Sequence, residues 1–130
     1  MSHTADLKVE ILDLECLKAS CEPLGLEFRE NQKTHKSYYR NEECEHAIAV
    51  RGNSQAYEVG VVKSPIGRGW TLRADSFGGG YGLMDAIGGT TANRLRQEYS
   101  LQVAAKKIPR GFRMQRVLEA NGHVLLRCSH

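Results

Sequence analysis

The chain has 130 residues, 41% of them hydrophobic and 25% charged, the size and composition of one globular domain able to bury a core without metals or disulfides. No segment approaches the ~18 consecutive apolar residues of a membrane helix, which excludes a spanning helix. The polar opening MSHTADLKVE lacks the charged-then-apolar run of a secretory signal, so the expected location is cytoplasmic. The net charge of +3 conceals an asymmetry: residues 94–127 hold eight Lys or Arg against Glu98 and Glu119, while the remainder carries thirteen acids against ten bases. That split predicts an electropositive C-terminal half able to attract phosphates, an acidic protein or nucleic acid. Plain solvation of helix and strand surfaces by Arg and Lys is the alternative.

In chain order, LKVEIL alternates Leu7, Val9 and Ile11 with Lys8 and Glu10, the period of a half-buried strand over about 7–12. Asp13 offers an N-cap to LECLKASCE, where Leu14, Leu17, Cys21 and Leu24 recur at helical spacing before Pro23 and Gly25 close the segment. LEFRE reads as a second strand. The polar run over about 31–45 reads as a loop or mobile hairpin tip, and HAIAVRG as a third strand with Ile48 and Val50 facing one way. YEVGVV and WTLRAD both alternate, joined by KSPIGRG as a hairpin loop.

The segment ADSFGGGYGLMDAIGGTT leads from the fifth strand into TANRLRQEYSLQVAAKKI, the strongest helical pattern of the chain, with Leu95, Tyr99 and Val103 on one stripe and Leu101, Ala104, Ala105 and Ile108 on the next. Lys106 and Lys107 suit its C-terminal end, and Pro109 with Gly111 stops it. FRMQRVL and HVLLRC flank Asn121-Gly122, a hairpin signal. The order strand, helix, four strands, helix, two strands, with short connections, predicts a single α+β domain over 1–130. It would hold a largely antiparallel sheet of six to seven strands with two helices on one face. The other face must then be solvated, covered by a partner or used for binding, and an uncovered face or edge leaves homo-oligomer formation open.

Several of these segments together carry a family resemblance: MSH followed by LKVEILDLECLKASCEPLGLEF, the central YEVGVV and LRADSFGGGYGL, LRQEYS, and the closing GFRMQRVLEANGHVLLR. They resemble the domain-of-unknown-function family 1257, which includes the plastid reading frame ycf thirty-five and bacterial and phage proteins. The likeness spans most of the chain outside residues 31–45. Plastid-type members have aromatic residues where this chain has DSFGGGYG, so it is more similar to the phage and bacterial branch; the tail Cys128-Ser129-His130 also departs from the family's usual aromatic ending. The resemblance carries no activity, substrate or catalytic residue. Genes of the family are sometimes found near AAA-type ATPases, and a protein partner of that kind is what the resemblance implies.

Four constellations bear on chemistry. Gly88, Gly89, Thr90 and Thr91 precede the long helix, whose N-terminal N–H groups and partial positive charge favour an anion. Arg94 and Arg96 oppose the helix dipole there, a conflict that a bound phosphate or carboxylate would relieve. No Walker or dinucleotide fingerprint accompanies them, and a threonine N-cap with glycine turns explains the same residues. Cys44 with His46, and Cys128 with His130, would share strand faces and together supply a Cys₂His₂ set, but the spacing is not a zinc spacing. Cys16, Cys21, Cys44 and Cys128 show no CxxC and read as reduced thiols, Cys21 as core. No nucleophile motif is present, and His3, His35, His123 and His130 read as solvated side chains of termini and turns. Arg94, Arg96, Lys106, Lys107, Arg110, Arg113, Arg116 and Arg127 would make a basic stripe for nucleic acid, with few aromatics beside it. The expectation is a small non-enzymatic binding or accessory protein without a cofactor. Its basic half would engage a protein partner or an anionic, nucleotide-like small molecule, with nucleic acid as the alternative.

Overall fold

The computed structural model describes residues 4–38, 41–108, 113–118 and 124–129. Five strands form one antiparallel sheet in the order β1-β7-β6-β5-β2: β1 (Thr4–Ile11), β2 (Leu26–Arg29), β5 (His46–Val50), β6 (Val59–Lys63) and β7 (Trp70–Asp75). The fold is the α+β arrangement that the alternating segments predict. Cross-strand partners Ile48 and Val59, then Val61 and Leu72, then Leu72 and Leu7, place apolar side chains in one row. Because side chains alternate with a period of two, the intervening Ala47, Gly60, Arg73 and Asp6 face the other side.

The apolar face carries the helices. Asp13 Oδ1 accepts the Cys16 N–H at 3.2 Å and starts α1 (Leu14–Cys21), as an N-cap should. Leu17 and Cys21 from α1, Leu83 and Ile87 from α2 (Leu83–Ile87), and Leu95 from α3 (Asn93–Lys106) join Ile48, Val59, Val61 and Leu72 in one buried cluster. Each aliphatic side chain in it contributes roughly 1.5–3 kcal/mol of transfer free energy. On α3 the buried residues are Leu95, Glu98 and Leu101. Ala104, expected on the apolar stripe, is exposed.

The remaining strands do not join the large sheet as a run of six or seven neighbours. β8 (Arg113–Leu118) pairs with β9 (Val124–Ser129) as a two-stranded sheet of its own, and the Asn121-Gly122 turn lies outside the described residues. β3 (Thr34–His35) pairs with β4 (Glu42–Glu43). They belong to the stretch expected to be a loop or mobile tip, yet β3 packs against β5 and β6 on the sheet face away from the helices. His35, Ser37 and Cys44 are buried there. The chain thus covers part of its second sheet face with its own segment.

The glycine segment holds two unexpected elements. Gly78, Gly79, Gly80 and Tyr81 all adopt left-handed helical φ/ψ, with φ from 52° to 68°. Such a conformation costs a side-chain-bearing residue about 1–2 kcal/mol, so three consecutive glycines make the turn affordable. It delivers the chain into the five-residue α2, which the glycines on either side hid from a periodicity reading.

Candidate functional site

The six residues expected at an anion site lie between α2 and the first turns of α3. Gly88 ends α2 with φ 96°, and its N–H and that of Gly89 both donate to the Met84 carbonyl, at 2.9 and 2.7 Å. That is the helix-terminating arrangement glycine is suited to. A Cβ on Gly88 would run into the backbone nitrogen of Arg94, so close approach of α3 also requires glycine there. Neither threonine caps α3: Thr90 and Thr91 are exposed, and the N-cap position is Ala92, at φ 52° and without a side-chain cap bond. The Arg94 guanidinium turns from its own helix start to the Asp85 carbonyl, Nη1 to oxygen 3.1 Å. It thereby meets the negative end of α2, which answers the dipole conflict without a ligand. Arg96, two residues further along the helix, is exposed.

The outward side of α3 carries the stronger charge pattern. Arg94, Arg96, Lys106 and Lys107 are all exposed, while the helix's one acid, Glu98, is buried and accepts from Gln102 Nε2 at 3.1 Å. Lys106 pairs with Asp13 at the start of α1, and this partner holds the Asp13 carboxyl at about 2, well below its usual 3.8. The side chains of Arg110, Arg113, Arg116 and Arg127 lie outside the described residues.

The second sheet face gathers the buried polar groups. Glu58 accepts from Arg29 Nη1 at 2.9 Å, Gln32 Nε2 at 3.0 Å and the Lys36 N–H at 2.9 Å, and its own N–H donates to the Lys36 carbonyl at 3.1 Å. Asp75, fully buried, takes the N–H groups of Tyr38 and Phe77, each at 2.9 Å. Between them lies His35, 0% exposed, with Nδ1 3.1 Å from the Glu58 carbonyl oxygen and Nε2 without a hydrogen-bond partner. Its ring rests on Gly60, where a Cβ would collide with it. His35 is therefore a packed core histidine rather than a solvated turn residue, and burial pushes its pKa down. Beside it a polar cleft is lined by Asn41, Glu42, Glu43 and Arg73. Arg73 pairs with Asp6 at 2.8 Å, so the cleft has mixed charge rather than a cationic lining. A sequence signal for this packing was present: a lone glycine inside the alternating VGVV marks close approach of another group.

Cys44 and His46 are neighbours in sequence whose donor atoms are spent on backbone. Cys44 Sγ contacts the Gln32 carbonyl at 3.2 Å, and His46 Nδ1 accepts the Asn31 N–H at 2.9 Å. The Cys128 side chain and His130 lie outside the described residues, so the four-ligand expectation is represented by this one pair. Among the described residues no group of three or more His, Cys, Asp or Glu could hold a metal ion. Burial holds the Cys21 thiol up to about 12 and the Cys44 thiol up to about 11, so neither presents a thiolate near neutral pH. Among the described residues no helix is long and apolar enough to cross a membrane. In comparisons with known proteins, the chain matches no family model, no curated protein and no solved structure.

Proposed function

We propose that the protein is a small binding or accessory domain, without catalysis of its own. In this reading the exposed basic side of α3 engages an acidic protein partner or an anionic small molecule. The observation that carries the reading is the segregation of charge on α3 and its C-cap: Arg94, Arg96, Lys106 and Lys107 are exposed, and the one acid of the helix is buried. No two of these bases stand at i,i+3 or i,i+4 spacing, so they do not oppose one another as helix neighbours, and together they raise the local concentration of an anionic partner. Arg94 and Lys106 are anchored at their tips by Asp85 and Asp13, which orders two of the four cations along the helix. The family resemblance makes an AAA-type ATPase the first protein partner to test.

The test is native mass spectrometry of the protein isolated from its own cells, compared with an Arg94→Glu/Arg96→Glu variant isolated the same way. Wild type is expected to retain a partner or ligand mass that the variant loses. Equal retention by both, or a bare wild-type chain, overturns the reading. Nucleic acid is the other polyanion the same face would attract, and it is recognised by an affinity that falls steeply and log-linearly with salt.

A further inference from the structure

Two buried histidines hold one short segment of the chain, His46 from the sheet and His35 from within the segment, and both sit in surroundings that suit the neutral ring. Residues 31–38 lie across the second sheet face between β2 and the Asp75 carboxylate. At their start, just past the end of β2, the Asn31 N–H donates at 2.9 Å to Nδ1 of His46, whose ring packs with Phe28 and Trp70 on the helix side of the sheet. A donor faces that nitrogen, so it must offer a lone pair, and an imidazolium, which carries N–H at both positions, has none. In their middle, His35 Nδ1 meets the Glu58 carbonyl oxygen at 3.1 Å. A carbonyl only accepts, so Nδ1 carries the proton and Nε2 is bare in the neutral ring. A second proton would place N–H and positive charge on a buried atom that has no acceptor, against the backbone of Gly60.

We propose that residues 31–38 form a pH-gated strap: neutral His35 and His46 hold it on the sheet, and protonation of the two rings in mildly acidic conditions releases it from the face around Gly60. The surrounding charges do not reverse this preference. Burial is the first influence on His35 and lowers its pKa; Glu42 on β4 and Glu58 ahead of β6 act in the opposite sense, and Arg73 on β7 acts with burial. For His46 burial again comes first and lowers the pKa, with Lys33 and Lys18 of α1 in the same sense and Glu30 and Glu45 against it. With folded-state pKa values below the unfolded 6.5, the folded strap binds fewer protons than the released chain. Its hold is therefore complete above about pH 6.5 and weakens as pH falls below it. Glu58 and Asp75 pin the strap as well.

Amide hydrogen exchange of the full chain at about pH 7.5 and pH 5.5, corrected for intrinsic exchange, reads the release. The amides of Lys36, Tyr38 and Glu58, bonded across the strap, are expected to lose about tenfold or more of their protection at the lower pH. Those of Ile48 and Val61 should keep theirs. A strap that stays as protected as the sheet, or one that opens only together with it, overturns the proposal. The variant His46→Gln, whose amide oxygen accepts from Asn31 but does not titrate, should lose less protection at pH 5.5 than wild type. Because that variant could misfold, NMR titration of the wild-type rings decides independently. Both should titrate below the ordinary histidine value in step with the strap amide shifts, and a His35 that protonates with the strap signals unmoved ends the idea.

Discussion

The phenol oxygen of Tyr99 on α3 accepts the backbone N–H of Asp13 at 3.1 Å, the residue that caps α1, and the N–H of Leu12 at 3.0 Å. One side chain thus satisfies two donors where β1 turns into α1 and ties that turn to the helix packed beside it. Tyr99→Phe keeps the ring and removes the acceptor. Stability is expected to fall by about 0.5–1.5 kcal/mol, seen as a lower urea midpoint at unchanged slope. An unchanged midpoint would mean that solvent replaces the phenol without loss.

The same corner has a pH signature. Lys106 is the main cause of the low Asp13 pKa, followed by the Cys16 N–H that the carboxylate caps, and the result is about 2 against an unperturbed 3.8. A carboxyl depressed in the folded state contributes stability above its unfolded pKa and loses it as pH falls through the folded one. The contribution of Asp13 should therefore be present above about pH 4 and gone near pH 2. Side-chain NMR should find Asp13 titrating near the lower value, and Lys106→Gln should move that titration upward while the Cys16 cap keeps it below normal.

Gly60 and His35 test the packing of the second sheet face. A methyl group on Gly60 would meet the His35 ring, and overpacking of that kind costs about 1–3 kcal/mol. Gly60→Ala alone should destabilise by that amount. In a His35→Ala background the same change should be neutral, or stabilising by about 0.5 kcal/mol, because alanine outperforms glycine within a strand. Chemical denaturation of the four proteins gives the coupling directly; a Gly60→Ala effect equal in both backgrounds would show that the ring yields without resistance.

What the sequence made legible follows from where each residue's partners lie. Leu7, Ile48, Val59, Val61 and Leu72 bury against the helices, so their alternation is visible in one dimension and the strands were placed by it. The strap could not be read that way. Gln32, Lys36 and Tyr38 find their partners in Glu58 and Asp75, more than twenty residues away, and a segment whose polar groups are satisfied at a distance has the composition of a loop. His35 was hidden for the same reason. At the expected anion site the glycines were visible but their purpose was not. Ending α2 and admitting α3 need the same glycines as a phosphate loop does, and the difference lies in the Met84 carbonyl that takes both N–H groups.

The left-handed turn separates conformational from steric cost among adjacent glycines. Nothing lies within 4 Å of a Cβ placed on Gly79, although its φ is 68°, whereas a Cβ on Gly80 would come within 2.8 Å of the Leu83 Cβ and 3.4 Å of the Asp75 carbonyl oxygen. Gly79→Ala should therefore lose only the price of the backbone conformation, about 1–2 kcal/mol. Gly79→Asn should lose less, since asparagine tolerates the left-handed region. Gly80→Ala must add the displacement of Leu83 from the core and should be the most destabilising of the three. Thermal unfolding ranks them, and a Gly79→Ala protein as stable as wild type would mean that the turn can relax out of its left-handed geometry without disturbing Tyr81, whose ring meets Tyr57 edge-on at 5.2 Å.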